Sequence, residues 1–152
     1  MQKHEAKFTT IFKHYLEHAR HESGAWEVKH ISDKEGRFDF KDLQDHQIEA
    51  LRAVKHAPLF AYKIPDDGLQ KPFDVFTLRR ASACVVLAFE HPREYTTYIM
   101  DIDVYISMRD AIMRDTHKVS AREGTLETFA IALGVKGKGF EVVSLPKKGA
   151  KG

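Results

Sequence analysis

A chain of 152 residues, 43% of them hydrophobic and 11% aromatic, is long enough for one ordinary globular core and too short for two. No apolar run approaches the roughly 20 residues of a membrane-spanning helix, and the opening residues MQKHEAKF lack the apolar centre of a secretion signal. The formal net charge is +2, so the chain is not strongly basic. Its single cysteine, Cys84, excludes an intrachain disulfide, which fits a reducing compartment. We therefore expect a soluble cytoplasmic protein.

The first elements predicted along the chain are a helix and a strand. Apolar residues at helical spacing over residues 3–20 predict an amphipathic helix, with Glu5 on its apolar stripe. Alternation over residues 25–31 predicts a strand that places Glu27 and Lys29 on the same face. Glu5 is therefore a charged side chain at a position where packing alone would favour carbon.

A turn and a second helix come next. Asp33 and Gly36 mark the turn, and the helix is predicted over residues 42–56, ending before Pro58. The predicted apolar stripe of this helix comprises Leu43, Gln47, Ala50, Leu51 and Val54. Gln47 is its one polar member, so this residue also becomes a candidate for function.

Strands dominate the rest of the predicted domain. The strand candidates LFAYKI, FDVFTL, ACVVLAFE and EYTTYIMDI lie at residues 59–64, 73–78, 83–90 and 94–102. Asp103 is expected to cap a helix, and residues 126–135 fit either a strand or a helix. We predict an α/β fold with a central mixed β-sheet flanked by helices within residues 1–135, followed by a basic Gly/Lys-rich tail over residues 136–152.

The polar residues on these elements favour one type of chemistry. A solvated face explains an isolated Glu-x-Lys pair more simply, but Glu5, Gln47 and Asp74 add polar groups where packing favours carbon. Mg²⁺ prefers oxygen ligands and keeps several waters, so Glu27 and Asp74, with Glu5 as a further candidate, would suit it. Lys29 could orient the attacking water, or contact the phosphate and stabilise the charge developing on it, and Gln47 could hold that water or a phosphate oxygen. Together these residues favour metal-assisted hydrolysis of a phosphodiester.

The segment WEVK, followed by FKDLQDHQIEAL, resembles the Glu-x-Lys strand and the His-Gln helix of RecU-like Holliday junction resolvases. These enzymes belong to the PD-(D/E)XK nuclease superfamily, which also includes archaeal Hjc-type resolvases and many restriction enzymes. The resemblance covers about the first two thirds of the chain, as far as DIDVYI. It implies a restriction-endonuclease-like sheet, a Mg²⁺ cofactor that Mn²⁺ can replace, cleavage of branched DNA such as a four-way junction, and a two-fold homodimer.

By this resemblance Glu27 and Lys29 take the motif positions, Glu5 matches the acidic residue of the first helix, and Gln47 matches the glutamine after the motif. The family's aspartate normally precedes the Glu-x-Lys strand, whereas this chain has no aspartate between the predicted first helix and Glu27. Asp74 is the candidate replacement. It can serve only if its strand lies beside the strand of Glu27.

Other candidate ligands carry alternatives. Asp66 and Asp67, in the turn motif IPDDG, rival Asp74, although a turn aspartate usually serves the turn itself. Three histidines at helical spacing, His14, His18 and His21, would suit Zn²⁺, but they lie off the apolar stripe, where exposed polar residues are expected.

Basic residues gather in a few places despite the low net charge. Arg79 and Arg80 fit phosphate contacts and a solvated turn equally well. Further basic residues are Arg109, Arg114, Lys118 and Arg122, together with the lysines of the tail. This placement suits a polyanion held along one side, and solvated turns explain it equally well.

The sequence thus predicts a Mg²⁺-dependent DNA endonuclease. The alternatives are a nuclease for another DNA structure, a non-catalytic DNA-binding protein on the same fold, and a histidine-based metal sensor.

Overall fold

A computed structural model describes residues 24–32, 34–63, 68, 70, 75–78, 81–136 and 139–146. The helix predicted over residues 3–20 lies outside these residues, and so do Glu5, His14, His18 and His21. Within the described residues, no helix is both long and apolar enough to cross a membrane.

The described residues form nine strands, three α-helices and one short 3₁₀ helix. The strands are β1 (Gly24–Ile31), β2 (Arg37–Asp39), β3 (Phe60–Lys63), β4 (Val75–Leu78), β5 (Ser82–His91), β6 (Glu94–Asp101), β7 (Ser120–Arg122), β8 (Ile131–Lys136) and β9 (Gly139–Ser144). The helices are α1 (Asp45–His56), α2 (Ile102–Thr116) and α3 (Glu123–Phe129), and the 3₁₀ helix is Phe40–Asp42.

Five of the strands form a mixed sheet in the order β1-β5-β6-β8-β9. β1 runs parallel to β5, and the other neighbouring strands are antiparallel. A parallel pair needs a crossover connection, and here the chain passes through α1 between β1 and β5. The predicted mixed sheet flanked by helices is confirmed. The pairs β2–β7 and β3–β4 form two separate small sheets.

The core is centred on β5. Most of the run from Ala83 to Phe89 is buried, as expected for a strand covered on both faces. One face of the sheet packs against α1 and α2. The core residues on this side include Val85 and Leu87 of β5, Leu51 and Val54 of α1, and Tyr105 and Met108 of α2.

Three aromatic rings join α2 to the segment that leads from β2 into α1. Phe38 of β2, Phe40 of the 3₁₀ helix and Tyr105 of α2 meet edge to face, an arrangement that the ring quadrupoles favour. The ring centroids are 6.3 Å apart for Phe38 and Tyr105 and 6.4 Å apart for the other two pairs. All three side chains are buried, so they fix the path of the chain towards α1.

The start and the buried stripe of α1 differ from the prediction. The helix begins at Asp45 because the 3₁₀ turn Phe40–Asp42 precedes it. Its buried residues are Ile48, Leu51 and Val54. Ala50 is exposed, and Leu43 is buried from the turn before the helix. The prediction counted Leu43 as a helical residue. The predicted stripe was therefore displaced by part of a turn, so that it included Ala50 and missed Ile48.

The cap of α2 is also corrected. The helix begins at Ile102, and the carboxylate of Asp101 accepts a hydrogen bond of 2.8 Å from the backbone N–H of Asp103. Asp101 is therefore the N-cap, not Asp103. Both aspartates suit a cap by composition, but only Asp101 lies at the strand end just before the helical residues begin.

The structure also describes three further regions for which the sequence made predictions. The segment LETFAIALGV, compatible with either element, is helical up to Phe129 and forms β8 from Ile131. β9 pairs with β8, so part of the segment predicted as a basic tail belongs to the sheet. Gly36, predicted in a turn, has a left-handed backbone with φ of 63° in the connection between β1 and β2.

We expect Gly24→Ala to lower the free energy of unfolding by about 1–3 kcal/mol. A Cβ at this position would run into the backbone carbonyl oxygen of Ser82, the parallel partner of Gly24 in β5. Chemical denaturation measures the change. Gly124→Ala is the control, because a Cβ on this helical glycine meets no atom within 4 Å. An equal loss of stability in both variants would contradict the steric argument.

Candidate functional site

Glu27 and Lys29 lie in β1 on the face of the sheet that packs against α1. Their parallel partners in β5 are Val85 and Leu87, which belong to the buried core. Paired residues of neighbouring strands point to the same side, so the predicted common face of Glu27 and Lys29 is confirmed. The exposed fractions of the Glu27 and Lys29 side chains are 30% and 19%. Both charges are therefore partly removed from water while remaining within reach of a ligand.

The side chain of Gln47, from the first turn of α1, reaches the same carboxylate. Its Nε2 donates a hydrogen bond of 2.8 Å to Oε1 of Glu27, and Nζ of Lys29 lies 3.3 Å from that same oxygen. We call Glu27, Lys29 and Gln47 the Glu27 cluster. Three residues predicted from the sequence as site candidates are thus brought together.

The amide of Gln47 is held in one orientation. The backbone N–H of Gln44 donates a hydrogen bond of 3.0 Å to Oε1 of Gln47. Because a backbone N–H can donate only to the oxygen of the amide, the NH₂ group faces Glu27. Gln47 therefore positions the carboxylate, whereas the sequence had suggested that it holds a water molecule or a phosphate oxygen.

The two partners of Glu27 offset the cost of partly burying its carboxylate. An ionised carboxylate away from water is costly unless it is paired and hydrogen-bonded, and Lys29 and Gln47 supply both. The same contacts limit where the carboxylate can point. The cluster is therefore a carboxylate of fixed orientation with an ammonium group beside it.

The other predicted site residues lie outside the described part of the chain. They are Glu5, Asp66, Asp67, Asp74, Arg79 and Arg80. The strand just after Asp74, β4, pairs with β3, and the strand beside β1 is β5. The adjacency that we expected between the Asp74 strand and the Glu27 strand is therefore absent from the described pairings.

The Glu27 cluster contains one carboxylate that could act as a ligand of a divalent metal. Among the described residues, no three His, Cys, Asp or Glu side chains come together as a metal-binding group. Mg²⁺ in phosphate-transfer sites is held by one or two carboxylates, with substrate oxygens and waters filling the other positions. Glu27 fits such a site in chemical type and partial exposure.

A second charged cluster, which the sequence did not predict, joins the end of α1 to the start of α2. Nζ of Lys55 lies 2.6 Å from Oδ1 of Asp101 and 2.6 Å from Oδ2 of Asp103, and Nε2 of His56 lies 2.8 Å from Oδ2 of Asp103. Partial burial would raise the pKa of Asp103, but hydrogen bonds from Lys55 and His56 outweigh it and the pKa lies below its usual value. These contacts tie the two helices together.

Cys84 of β5 lies opposite Asp101 of β6, and burial, reinforced by Asp101, raises the pKa of its thiol to about 11. At pH 8 about one molecule in a thousand then carries the thiolate, against about one in four in an unfolded chain. We expect a thiol-specific disulfide reagent to react slowly with the folded protein at pH 8, and faster as pH approaches 11. Rapid labelling of folded protein at pH 8 would contradict the packed-thiol interpretation.

A third polar group lies around the end of the β5–β6 hairpin. Nε2 of His91 is 2.9 Å from Oε1 of Glu123, and the hydroxyl of Tyr98 donates to the same oxygen at 3.2 Å. Burial and the Glu123 carboxylate raise the pKa of Tyr98, so its hydroxyl stays protonated at neutral pH. These contacts connect α3 to the sheet. No sequence pattern predicted them, because they join residues 25 or more positions apart.

Comparison with protein-family models, curated proteins and solved structures finds no match to this chain. The class of protein is therefore described by its own fold and site. It is an α/β domain in which β1, an edge strand of the five-stranded sheet, presents an oriented carboxylate and a lysine next to the first turn of α1.

Proposed function

We propose that the protein is a metal-dependent endonuclease that hydrolyses phosphodiester bonds in DNA. The observation that carries this proposal is the meeting of Lys29 and Gln47 at a single oxygen of Glu27. An oriented carboxylate beside an ammonium group on one strand suits a hard cation and a phosphate held next to each other. We also propose that the five-stranded sheet is restriction-endonuclease-like and that the enzyme acts in the cytoplasm.

Each member of the cluster has a separate part in this proposal. Glu27 would hold the metal, and Mg²⁺ or Mn²⁺ bound there would supply Lewis-acid polarisation of the phosphate and a lowered pKa of the attacking water. Lys29 places positive charge where the phosphate oxygens gain negative charge in the transition state. Gln47 is a positioning residue, because it orients the Glu27 carboxylate through its NH₂ group. Glu5 and Asp74 are proposed as the remaining oxygen donors.

The substrate that we propose is branched DNA, and in particular a four-way junction cut by a two-fold homodimer. The resemblance of WEVK and FKDLQDHQIEAL to resolvases supports this substrate. A junction has two strands related by symmetry, so a dimer with two identical sites matches its geometry.

One observation favours a second candidate, a DNA-binding protein without cleavage activity. The strand after Asp74 is β4, and it pairs with β3 and not with β1. The described strand pairing therefore does not bring a second metal ligand next to Glu27. Without Asp74 or Glu5, the site would lack the further oxygen donors that the nuclease proposal requires. Binding would then survive while hydrolysis would not.

A cleavage assay decides between the two candidates. Labelled four-way junction, linear duplex and single strand are each incubated with Mg²⁺, with Mn²⁺ and with a chelator. We expect metal-dependent cleavage with a preference for the junction. Faster cleavage of the duplex or the single strand than of the junction would indicate a nuclease for another DNA structure, and binding without cleavage under any condition would favour the DNA-binding protein.

A further inference from the structure

A basic cleft lies where the C-terminal end of α2 meets the small β2–β7 sheet. The cleft has a volume of about 530 Å³. Its polar lining includes Arg37, His117, Lys118 and Arg122, together with the hydroxyls of Ser120 and Thr125. Within the part of the chain that the structure describes, its lining contains no aspartate or glutamate. We call it the β2–β7 cleft, and its lining suits an anion.

Two arginines face each other directly across this small sheet. Arg37 of β2 and Arg122 of β7 are antiparallel partners, and the next pair, Phe38 with Ala121, is buried. Because side chains alternate along a strand, both arginines point away from the core on the same side. Like charges directly opposite each other destabilise a sheet, so an anion bound beside both arginines would be stabilising.

The nearby counter-charges leave the cleft basic. Nη2 of Arg37 is 3.0 Å from Oε2 of Glu35, but the side chains of Arg37 and Glu35 are 44% and 61% exposed. An ion pair this exposed contributes little, and an incoming anion can replace it. Asp39 pairs with Ser120 on the same side of the sheet, yet it does not line the cleft.

The end of α2 brings a further cation to the cleft. His117 has a left-handed backbone with φ of 57°, which ends the helix and turns the chain towards β7. Lys118 follows at once and lines the same cleft as Arg122. Three basic side chains from two separate segments, Arg37 and residues 118–122, therefore border one opening.

We propose that the β2–β7 cleft binds phosphates of the DNA backbone. The inference rests on the proposed function in that it takes DNA as the ligand. Arginine forks bind phosphate in a bidentate manner, and backbone phosphates are contacted by arginine, lysine and hydroxyl side chains of the kinds found here. Free phosphate shares this chemistry, so the experiment separates the two sources.

The test measures DNA affinity by fluorescence anisotropy across a series of salt concentrations. The variants are Arg122→Gln, Lys118→Gln and the double variant, with labelled four-way junction and duplex as probes. We expect the double variant to bind at least about tenfold more weakly at low salt. The slope of log affinity against log salt should fall by about 0.9 for each lost phosphate contact. Arg52→Gln is the matched control, since Arg52 is an exposed arginine of α1 that pairs with Glu49, and it should change neither quantity.

Thermal unfolding accompanies each binding measurement. Because Arg37 and Arg122 repel each other, Arg122→Gln should leave the unfolding temperature unchanged or raise it, which separates lost binding from misfolding. The native protein and Arg122→Gln are also titrated with inorganic phosphate. If phosphate stabilises only the native protein while DNA affinity is insensitive to Arg122, the cleft takes free phosphate and the proposal is overturned.

The remaining outcomes distinguish this proposal from the proposed function. If DNA binding depends on Lys118 and Arg122 but the protein cuts no DNA, the cleft proposal would be supported and the nuclease proposal excluded. If the protein cuts DNA but neither its DNA affinity nor the salt slope changes in the Lys118→Gln and Arg122→Gln variants, the nuclease proposal would stand and the cleft proposal would be overturned. A protein that binds none of the DNAs would overturn the cleft as well.

Discussion

Lys29→Met should lower the rate of DNA cleavage by about 100- to 1,000-fold while DNA affinity changes by less than about threefold. Methionine retains the apolar stem, so the variant removes the charge with little change in packing. The ammonium group is proposed to act on charge that develops only in the transition state, which affects the rate more than binding. Single-turnover cleavage of a labelled four-way junction, with anisotropy for affinity, measures the two quantities separately.

Glu27→Gln should produce an equal or larger loss, because it removes the proposed metal ligand and keeps the shape of the side chain. Glu49→Gln is the matched control. Glu49 is an exposed glutamate of α1 that contacts Arg52, and its loss should leave cleavage unchanged. Full activity in Lys29→Met or Glu27→Gln would exclude the Glu27 cluster as the catalytic site. A parallel loss of DNA affinity would instead make the cluster a binding surface.

Tyr105→Ala should lower the free energy of unfolding by about 3–5 kcal/mol. The Tyr105 ring is completely buried and packs against Phe38 and Phe40, so its removal leaves a cavity between α2 and the segment that leads into α1. The cavity weakens the contacts that fix this segment. Urea denaturation followed by circular dichroism measures the change.

Tyr105→Phe is the companion variant, and its expected effect is the opposite. The buried hydroxyl makes no hydrogen bond within the described part of the chain. Because an unpaired buried hydroxyl costs free energy, its removal should leave stability unchanged or raise it by about 1 kcal/mol. A loss in Tyr105→Phe as large as that in Tyr105→Ala would show that the hydroxyl has a partner and that the ring contributes little.

The residues of the Glu27 cluster were predictable because they lie on regular elements with a clear period. Alternation along β1 places Glu27 and Lys29 on one face whatever the strand pairs with. Gln47 was recognised as a polar residue on an otherwise apolar stripe, although the stripe itself was partly displaced. The contact that fixes the Gln47 amide was not predictable in this way. Its donor is the backbone N–H of Gln44, and every residue except proline has such a group, so no residue type marks it in the sequence.

The β2–β7 cleft and the Lys55 cluster were not predictable for a different reason. β2 and β7 are three residues long and pair across more than 80 positions, too short for a periodic signal and too distant for a turn signal. Lys55 and Asp101 are 46 positions apart. Composition showed that basic residues gather near Lys118 and Arg122, but their partner Arg37 became visible only through the strand register.

The hydrogen bond between the Gln44 backbone and the Gln47 side chain makes the start of α1 part of the site. If the first turn of the helix frays, the amide of Gln47 loses the donor that fixes it and is free to rotate by half a turn. The hydrogen bond from its Nε2 to Glu27 would then be the one contact among the described residues that orients the amide. Local unfolding of a single helical turn would thus loosen the positioning of the carboxylate without disturbing the sheet.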